Sequence, residues 1–283
     1  MYTSLHSGGV IDHYHLDWLV ARGGAAWVFR ATDLATGDPV AIKVPHHRRR
    51  SLLSDAFLDE RKIVQSLDHP GIARVLANGG DARPYTVLEW VDGLLLRDLI
   101  EDRNALSIDR SLEIAIKLCE IVAYVHERGI AHLDLKPDNI LVDEDDRVKL
   151  IDFDLAREVN RRVPSLWFRR GAGTPDYASP EQVRGRAGDF RSDVYSLGLI
   201  LYEMLTGEVP FADVPPAMAL KLRASADPPA AAETNPEIPL ELDRLVFRTI
   251  ARDPANRPAT ARSLYEDLVV VEQSLICELA PAL

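Results

Sequence analysis

The amino-acid sequence predicts an α+β fold in which a small strand-rich half precedes a larger helical half. Two observations carry this prediction. Over residues 15–44, β-branched and aromatic runs alternate with turns that contain glycine or proline, as in antiparallel strands. From about residue 95 onward, apolar residues recur at helical spacing, for example between Leu112 and His126. The two patterns meet near residues 89–93, and we expect a ligand-binding cleft at this join.

The individual elements follow from the same patterns. In the first half we expect three strands within residues 15–44, a helix over residues 54–67, and short strands over residues 72–77 and 84–88. In the second half we expect helices over residues 112–126, 191–205, 240–250 and 260–275, and a strand pair over residues 140–142 and 148–150.

Composition narrows the class of protein. The chain has 283 residues, of which 47% are hydrophobic, so it can fill a core and a disordered chain is not expected. The net charge of −11 argues against a nucleic-acid partner, because such binders are usually basic. The two cysteines, Cys119 and Cys277, predict neither a disulfide framework nor a zinc site and fit a reducing cytoplasm. No apolar run reaches the ~18–20 residues of a membrane segment.

The most informative stretch runs from His132 to Asn139, between a predicted helix and a predicted strand pair. It contains Asp134, with Lys136 two residues later and Asn139 five residues later. One loop with these groups can orient a hydroxyl, neutralise a phosphate and hold a metal ion. Asp152 follows at the end of a strand. Asn139 and Asp152 therefore offer the hard oxygen ligands that Mg²⁺ prefers.

In this stretch the sequence resembles the eukaryotic-type (Hanks-type) Ser/Thr protein kinase catalytic domain. Further motifs of that family occur along the chain in the order in which the family has them. The resemblance implies a protein-kinase-like bilobal fold, with a small antiparallel-sheet N-lobe plus one helix and a larger helical C-lobe. The implied segments are an N-terminal extension (1–12), a kinase domain (13–272) made of N-lobe (13–88), hinge (89–93) and C-lobe (94–272), and a C-terminal tail (273–283).

The resemblance also implies catalytic roles. Lys43, at the end of a Val-Ala-Ile-Lys strand, would reach the α- and β-phosphates of ATP, and Glu60 would pair with it. Asp134 would act as the catalytic base, and Lys136 would stabilise the transferred phosphoryl group. Asn139 and Asp152 would bind Mg²⁺.

A nucleotide site is implied as well. Its expected residues, besides Lys43 and Glu60, are Ala21, Gly23, Gly24, Val28, Ala41, Leu88, Glu89, Val91 and Leu141. Val28, Ala41 and Leu141 would sandwich adenine. The backbone of Glu89 and Val91 would bond its edge.

Two details imply serine and threonine as the acceptors in a protein substrate. Lys136, in Asp-x-Lys-Pro-x-Asn, resembles the Ser/Thr subgroup. Thr174, in Gly-Thr-Pro, also resembles the Ser/Thr subgroup, and it would contact Asp134 and Lys136. The segment over residues 173–181 would dock the substrate, and Arg257 would pair with Glu181 at its end.

The sequence departs from the family pattern at three places. In the phosphate-covering loop, Ala21 and Ala26 replace two of three glycines, from which we expect weakened but not abolished ATP binding. Asp154 stands where the family has glycine after Asp-Phe. Leu133 stands where arginine often precedes the catalytic aspartate.

These departures favour one alternative, a pseudokinase that binds ATP or protein partners without phosphoryl transfer. Against it, the chain keeps Lys43, Glu60, Asp134, Asn139 and Asp152, which a module released from catalysis need not retain. A small-molecule kinase on the same fold is a further alternative, but such kinases usually lack the peptide-docking segment. We therefore expect an ATP- and Mg²⁺-dependent protein Ser/Thr kinase.

Leu133 leads to a prediction about regulation. An arginine at this position reads a phosphate on the activation segment, and leucine has no charge or donor for this purpose. Between Phe153 and Gly173, Ser165 is the only residue with a hydroxyl side chain that suits phosphorylation. We expect Ser165→Ala and phosphatase-treated wild type to retain most activity in a phosphoryl-transfer assay. A loss of more than about tenfold, roughly 1.4 kcal/mol in barrier, would contradict this expectation.

Overall fold

The computed structural model describes residues 6–23, 26–45, 60–80, 84–159 and 175–279. The chain divides into two compact units, Met1–Asp92 and Gly93–Leu283. The first is built mainly from strands and the second mainly from helices. This confirms the predicted fold class, with a small antiparallel sheet and a larger helical part.

The described residues of the first unit form one antiparallel sheet. Its strands are β1 (Val10–Ile11), β2 (Tyr14–Arg22), β3 (Ala26–Asp33), β4 (Pro39–Pro45), β5 (Val75–Gly79) and β6 (Tyr85–Glu89). Their spatial order is β1-β2-β3-β4-β6-β5, so the three strands predicted within residues 15–44 lie side by side. Residues 60–65 form the described part of a helix, α1, which falls within the helix predicted over residues 54–67.

Side-chain alternation assigns the two faces of this sheet. The core face consists of Tyr14, Leu16, Phe29, Ala31, Val40, Ile42, Val44, Tyr85 and Val87. Lys43 lies between Ile42 and Val44 in β4, so its side chain projects from the opposite face. The turn between β3 and β4 contains Gly37 with φ of +84°, a conformation that favours glycine.

The second unit is mostly helical. Its helices are α2 (Leu96–Arg103), α3 (Ile108–Glu127), α4 (Pro180–Val183), α5 (Phe190–Thr206), α6 (Pro216–Ser225), α7 (Ala231–Thr234), α8 (Leu240–Thr249) and α9 (Ala261–Leu279). Its short strands are β7 (Leu94–Leu95), β8 (Ile130–Ala131), β9 (Ile140–Val142), β10 (Val148–Leu150) and β11 (Arg157–Glu158). The four predicted helices correspond to α3, α5, α8 and α9 within a few residues. None of the helices among the described residues combines the length and apolarity that crossing a membrane requires.

The central element of the second unit is α5, which is buried along most of its length. Its first turn is closed by a capping box, in which Asp189 and Ser192 bond each other's backbone N–H groups. It ends at Gly207, with φ of +83°, where a Cβ atom would lie 1.8 Å from the carbonyl oxygen of Asn104. Only glycine fits this end. Because α5 is enclosed, its polar side chains must find partners inside the protein.

One such set of contacts holds α4 to the segment before α9. Arg257 donates to both carboxylate oxygens of Glu181, at 2.9 and 3.0 Å, which confirms this predicted pair. Ser192 donates to the same carboxylate at 2.6 Å. Burial raises the pKa of Glu181, but the hydrogen bond and charge of Arg257 outweigh it, and the net pKa is lowered.

We predict that Arg257→Met destabilises the protein by about 3 kcal/mol or more, because it leaves a buried carboxylate unpaired. Arg248→Met is the matched control, since Arg248 pairs with Asp267 in an exposed position and should cost less than about 1 kcal/mol. Denaturant unfolding of both variants measures the difference. Since the pKa of Glu181 is lowered in the fold, the pair's contribution should be present above pH 4.5 and fade as the pH falls further. Equal losses in the two variants would contradict the prediction.

Candidate active site

The predicted ion pair between Lys43 and Glu60 is present in the first unit. Lys43 Nζ lies 2.6 Å from Glu60 Oε1, and both side chains are more than nine-tenths buried. Lys43 belongs to β4, and Glu60 is the first described residue of α1. Because the two buried charges compensate each other, the ion pair holds the ammonium group of Lys43 in a fixed position on the sheet.

Four residues of the predicted nucleotide site share one face of the sheet. Val28 pairs with Lys43, and Ala41 pairs with Leu88, across antiparallel strands. Paired residues, and residues two apart along a strand, face the same side. All four therefore lie on the face opposite the core, where the lysine and a small apolar surface adjoin each other.

The alanines of the predicted phosphate-covering loop lie in strands of the sheet. Ala21 follows a register shift in β2 and pairs with Val28, and Ala26 begins β3. Neither has a positive φ, so alanine causes no backbone strain at these two positions. A Cβ atom on Gly23 would lie 3.2 Å from the carbonyl oxygen of Ala26, a tight contact that favours glycine there. The consequence for ATP affinity stays a prediction.

The remaining predicted nucleotide contacts are placed as follows. Glu89 ends β6 and accepts a hydrogen bond from the backbone N–H of Arg74 at 3.0 Å, and Val91 lies two residues later. Leu141 lies in β9 of the second unit, half-buried and paired with Lys149. The residues of the predicted site and its activation segment that fall outside the described residues are Gly24, Thr174 and Ser165.

The catalytic loop brings three predicted residues together. Lys136 Nζ lies 2.7 Å from Asp134 Oδ2. Asn139 Nδ2 donates to the backbone oxygen of Asp134 at 2.9 Å and lies 3.4 Å from its carboxylate. A 3₁₀ turn over Pro137–Asn139 makes this short spacing possible. An acceptor, a cation and an amide thus converge in one loop.

Burial is the main influence on Asp134. It raises the pKa of this carboxyl group above its usual range, the nearby Lys136 opposes the shift, and the negative charge of Asp152 reinforces it. Asp134 is therefore a stronger base than an exposed aspartate.

The loop is held in place by a carboxylate from α5. Asp193 is fully buried, and its two oxygens accept the backbone N–H groups of His132 and Leu133, each at 2.7 Å. His126 Nε2 lies 2.9 Å from the same carboxylate. Leu133 has φ of +65°, which is costly for a branched residue. The hydrogen bonds of Asp193 hold this strained conformation.

His132 has a supporting position. Its ring packs on Phe153, with centroids 4.6 Å apart, and it is fully buried. Burial lowers its pKa, so the ring is neutral near physiological pH. It therefore links the catalytic loop to the segment of Asp152 by packing and not by charge.

The two predicted metal ligands are adjacent in the second unit. The backbone N–H of Ile151 donates to the backbone oxygen of Asn139 at 3.0 Å, which places Asp152 directly after this contact. Asp152 Oδ1 accepts the backbone N–H of Asp154 at 3.2 Å. Because the amide nitrogen of Asn139 donates to Asp134, its amide oxygen is the atom that can face a cation.

The end of the activation segment is anchored to both the catalytic loop and α5. Gln182 Nε2 donates to the backbone oxygen of Leu133 at 3.0 Å. Ser196 Oγ of α5 donates to the backbone oxygen of Tyr177 at 2.9 Å. Ser179 caps α4 with reciprocal bonds to Gln182. The described part of the segment is thus fixed next to the groups that would act on a substrate.

Sequence reasoning misses one polar cluster beside the catalytic loop. Arg97 on α2 donates to Glu203 of α5 at 2.6 Å and also to the hydroxyl group of Tyr177. Its second terminal nitrogen lies 3.4 Å from Asp138, within the catalytic loop. One signal was available in the sequence, since Glu203 interrupts the apolar helix α5 and a buried glutamate requires a partner.

The comparison with known families agrees with this arrangement. Residues 14–269 match the model of the protein kinase domain. The chain belongs to this family, and the predicted eukaryotic-type Ser/Thr protein kinase domain is confirmed.

Among individual proteins, the chain is similar to bacterial serine/threonine-protein kinases. It is 36% identical over 273 residues to PknB of Mycolicibacterium smegmatis, which covers 93% of this chain and 43% of that protein. It is 35% identical over 271 residues to PknB of Mycobacterium tuberculosis, with 92% and 43% covered. To the probable serine/threonine-protein kinase CPE1738 of Clostridium perfringens it is 34% identical over 267 residues, with 93% and 38% covered. The chain thus spans less than half the length of these curated relatives.

We predict that Lys43→Met and Glu60→Gln each reduce turnover strongly, and that the double variant is not much worse than either single one. Residues that act as one buried pair are non-additive, since losing one partner already removes the function of the other. Steady-state kinetics with ATP measure the three variants. Losses that multiply in the double variant would show that the two residues act independently.

Proposed function

We propose that this domain transfers the γ-phosphate of ATP to serine or threonine hydroxyl groups of protein substrates, with Mg²⁺ as the metal. The observation that carries the proposal is the catalytic loop, where Asp134, Lys136 and Asn139 are bonded to one another. Phosphoryl transfer depends on positioning and charge neutralisation more than on covalent chemistry. A base, a cation and an amide that are fixed before substrate arrives supply both.

In this proposal Asp134 orients the acceptor hydroxyl and takes its proton. Its raised pKa supports this role, because a stronger base captures the proton more readily. Lys136, whose ammonium group lies beside the carboxylate, stabilises the negative charge of the transferred phosphoryl group. The family motif also assigns Thr174, which lies outside the described residues, to the catalytic set.

The nucleotide is assigned to the residues that the family motif predicts. Lys43, kept in place by Glu60, orients the α- and β-phosphates. The shared sheet face of Val28, Ala41 and Leu88 supports an apolar site for adenine. The assigned contacts that complete this set are Ala21, Gly23, Gly24, Glu89, Val91 and Leu141.

The metal is assigned to Asn139 and Asp152. Their amide and carboxylate oxygens fit Mg²⁺, which takes oxygen ligands and few protein groups. When bound there, Mg²⁺ would neutralise the negative charge of the phosphates. The chain's own part is to hold these two residues adjacent through the backbone bond between Ile151 and Asn139.

Substrate class and location are proposed on separate grounds. Lys136 and Thr174 support serine and threonine as acceptors, and the names of the similar bacterial kinases support the same class. The net charge of −11 supports protein over nucleic acid as the partner. The cysteine usage, with Cys119 buried and Cys277 exposed as free thiols, supports the cytoplasm.

We predict that Asp152→Asn removes nearly all phosphoryl transfer and leaves the fold intact, because a neutral amide cannot replace the carboxylate at the metal. Asp145→Asn is the matched control, since Asp145 is an exposed carboxylate in the turn between β9 and β10 and should retain wild-type activity. Mass-spectrometric detection of autophosphorylation with ATP and Mg²⁺ measures both. Wild type that binds ATP without transfer would identify a pseudokinase and refute the proposal.

A further inference from the structure

A guanidinium group, a phenol and a carboxylate form a closed hydrogen-bonded set in the second unit. Arg97 Nη1 donates to Glu203 Oε1 at 2.6 Å, and Arg97 Nη2 donates to the hydroxyl oxygen of Tyr177. The hydroxyl group of Tyr177 in turn donates to Glu203 Oε2. We call these three residues the Arg97 triangle. Each member contacts both of the others, so no single bond can be lost without disturbing the rest.

Burial gives the Arg97 triangle its rigidity. Glu203 and Tyr177 are each only 4% exposed, and Arg97 closes the set from the more open side. Burial raises the pKa of Glu203 and, together with the charge of Glu203, the pKa of Tyr177. The phenol is therefore neutral, and Arg97 supplies the positive charge that compensates the buried carboxylate.

The position of the Arg97 triangle connects two parts of the site that lie far apart in sequence. Tyr177 ends the 3₁₀ turn Pro175–Tyr177, at the start of the described part of the segment over residues 173–181, which we call the docking segment. Arg97 Nη2 also lies 3.4 Å from Asp138, which directly precedes the metal-ligand candidate Asn139. One side chain on α2 thus contacts the docking segment and the catalytic loop together.

We propose that Arg97 is a positioning residue for the protein substrate. It fixes the docking segment against the catalytic loop through Tyr177 and Asp138, and it does not contact the reacting atoms. The proposal rests on the phosphoryl-transfer function proposed above. Its consequence is selective, because the contacts of Arg97 with Tyr177, Asp138 and Glu203 include none of the assigned nucleotide residues.

The first experiment compares Arg97→Met with Arg110→Met. Arg110 is a matched control, because it pairs with Asp146 at 2.6 Å and has a side-chain exposure of 23%, against 21% for Arg97. With histone as the protein substrate, we expect Arg97→Met to raise its KM about tenfold and to leave the KM for ATP within about twofold. Arg110→Met should leave both constants near wild type. Equal changes in the two KM values, or equal behaviour of the two variants, would overturn the proposal.

Rescue separates positioning from a general loss of structure. In Arg97→Ala, which leaves space for the missing group, guanidinium chloride at low concentration can occupy that space, and we expect it to lower the raised KM of this variant for histone. Arg97→Lys should recover part of the effect, because an ammonium group can reach Glu203 but cannot bond Tyr177 and Asp138 at once. Failure of both rescues would count against the proposal.

A second variant covers the case in which Arg97→Met does not fold. Adding Glu203→Gln removes the carboxylate that would be left buried without a cation, and glutamine can still accept the hydroxyl hydrogen of Tyr177. A folded double variant with a raised KM for histone supports the proposal. A folded double variant with the wild-type KM would show that Arg97 serves only to neutralise Glu203.

The last measurement does not depend on catalysis. Amide hydrogen exchange over residues 176–179 reports whether the docking segment is held, and we expect faster exchange in Arg97→Met than in Arg110→Met. If wild type transfers no phosphate, the proposed function fails, and the exchange result still decides whether Arg97 anchors the segment. Equal exchange in both variants would refute the anchoring role.

Discussion

The buried carboxylate of Asp193 is the constraint on which the catalytic loop depends. It accepts two consecutive backbone N–H groups, from His132 and Leu133, and contacts His126 on α3. Without these bonds, the positive φ of Leu133 would relax toward an ordinary conformation, since it costs energy that only surrounding contacts can offset. The reactive groups follow within three residues, so their direction is set by a side chain that never contacts a substrate.

Helix α5 extends this constraint over the rest of the second unit. Because it is enclosed on most sides, each polar side chain on it forms a fixed contact, and these contacts fall on different parts of the site. Asp193 reaches the catalytic loop, Ser196 reaches the backbone of Tyr177, and Glu203 reaches Tyr177 and Arg97. A single buried helix therefore aligns the loop and the docking segment with each other.

Sequence reasoning finds what local patterns encode and misses what the fold alone brings together. The long helices follow from apolar periodicity, and the pair of Lys43 and Glu60 follows from motifs in a known order. Strands of two residues, such as Val10–Ile11, are too short to show any periodicity. The contact between Arg97 and Glu203 joins residues 106 positions apart with no motif to link them. The left-handed backbone of Leu133 runs against the preference of a branched residue, so no propensity predicts it.

The bonds from Asp193 to the catalytic loop end on main-chain N–H groups, which every residue except proline carries. These two hydrogen bonds therefore do not depend on which side chain, other than that of proline, occupies position 133. The geometry of the catalytic loop and its sensitivity to an external signal are therefore separable properties. A substitution at this position can therefore change the charge beside the catalytic base without removing either hydrogen bond from Asp193.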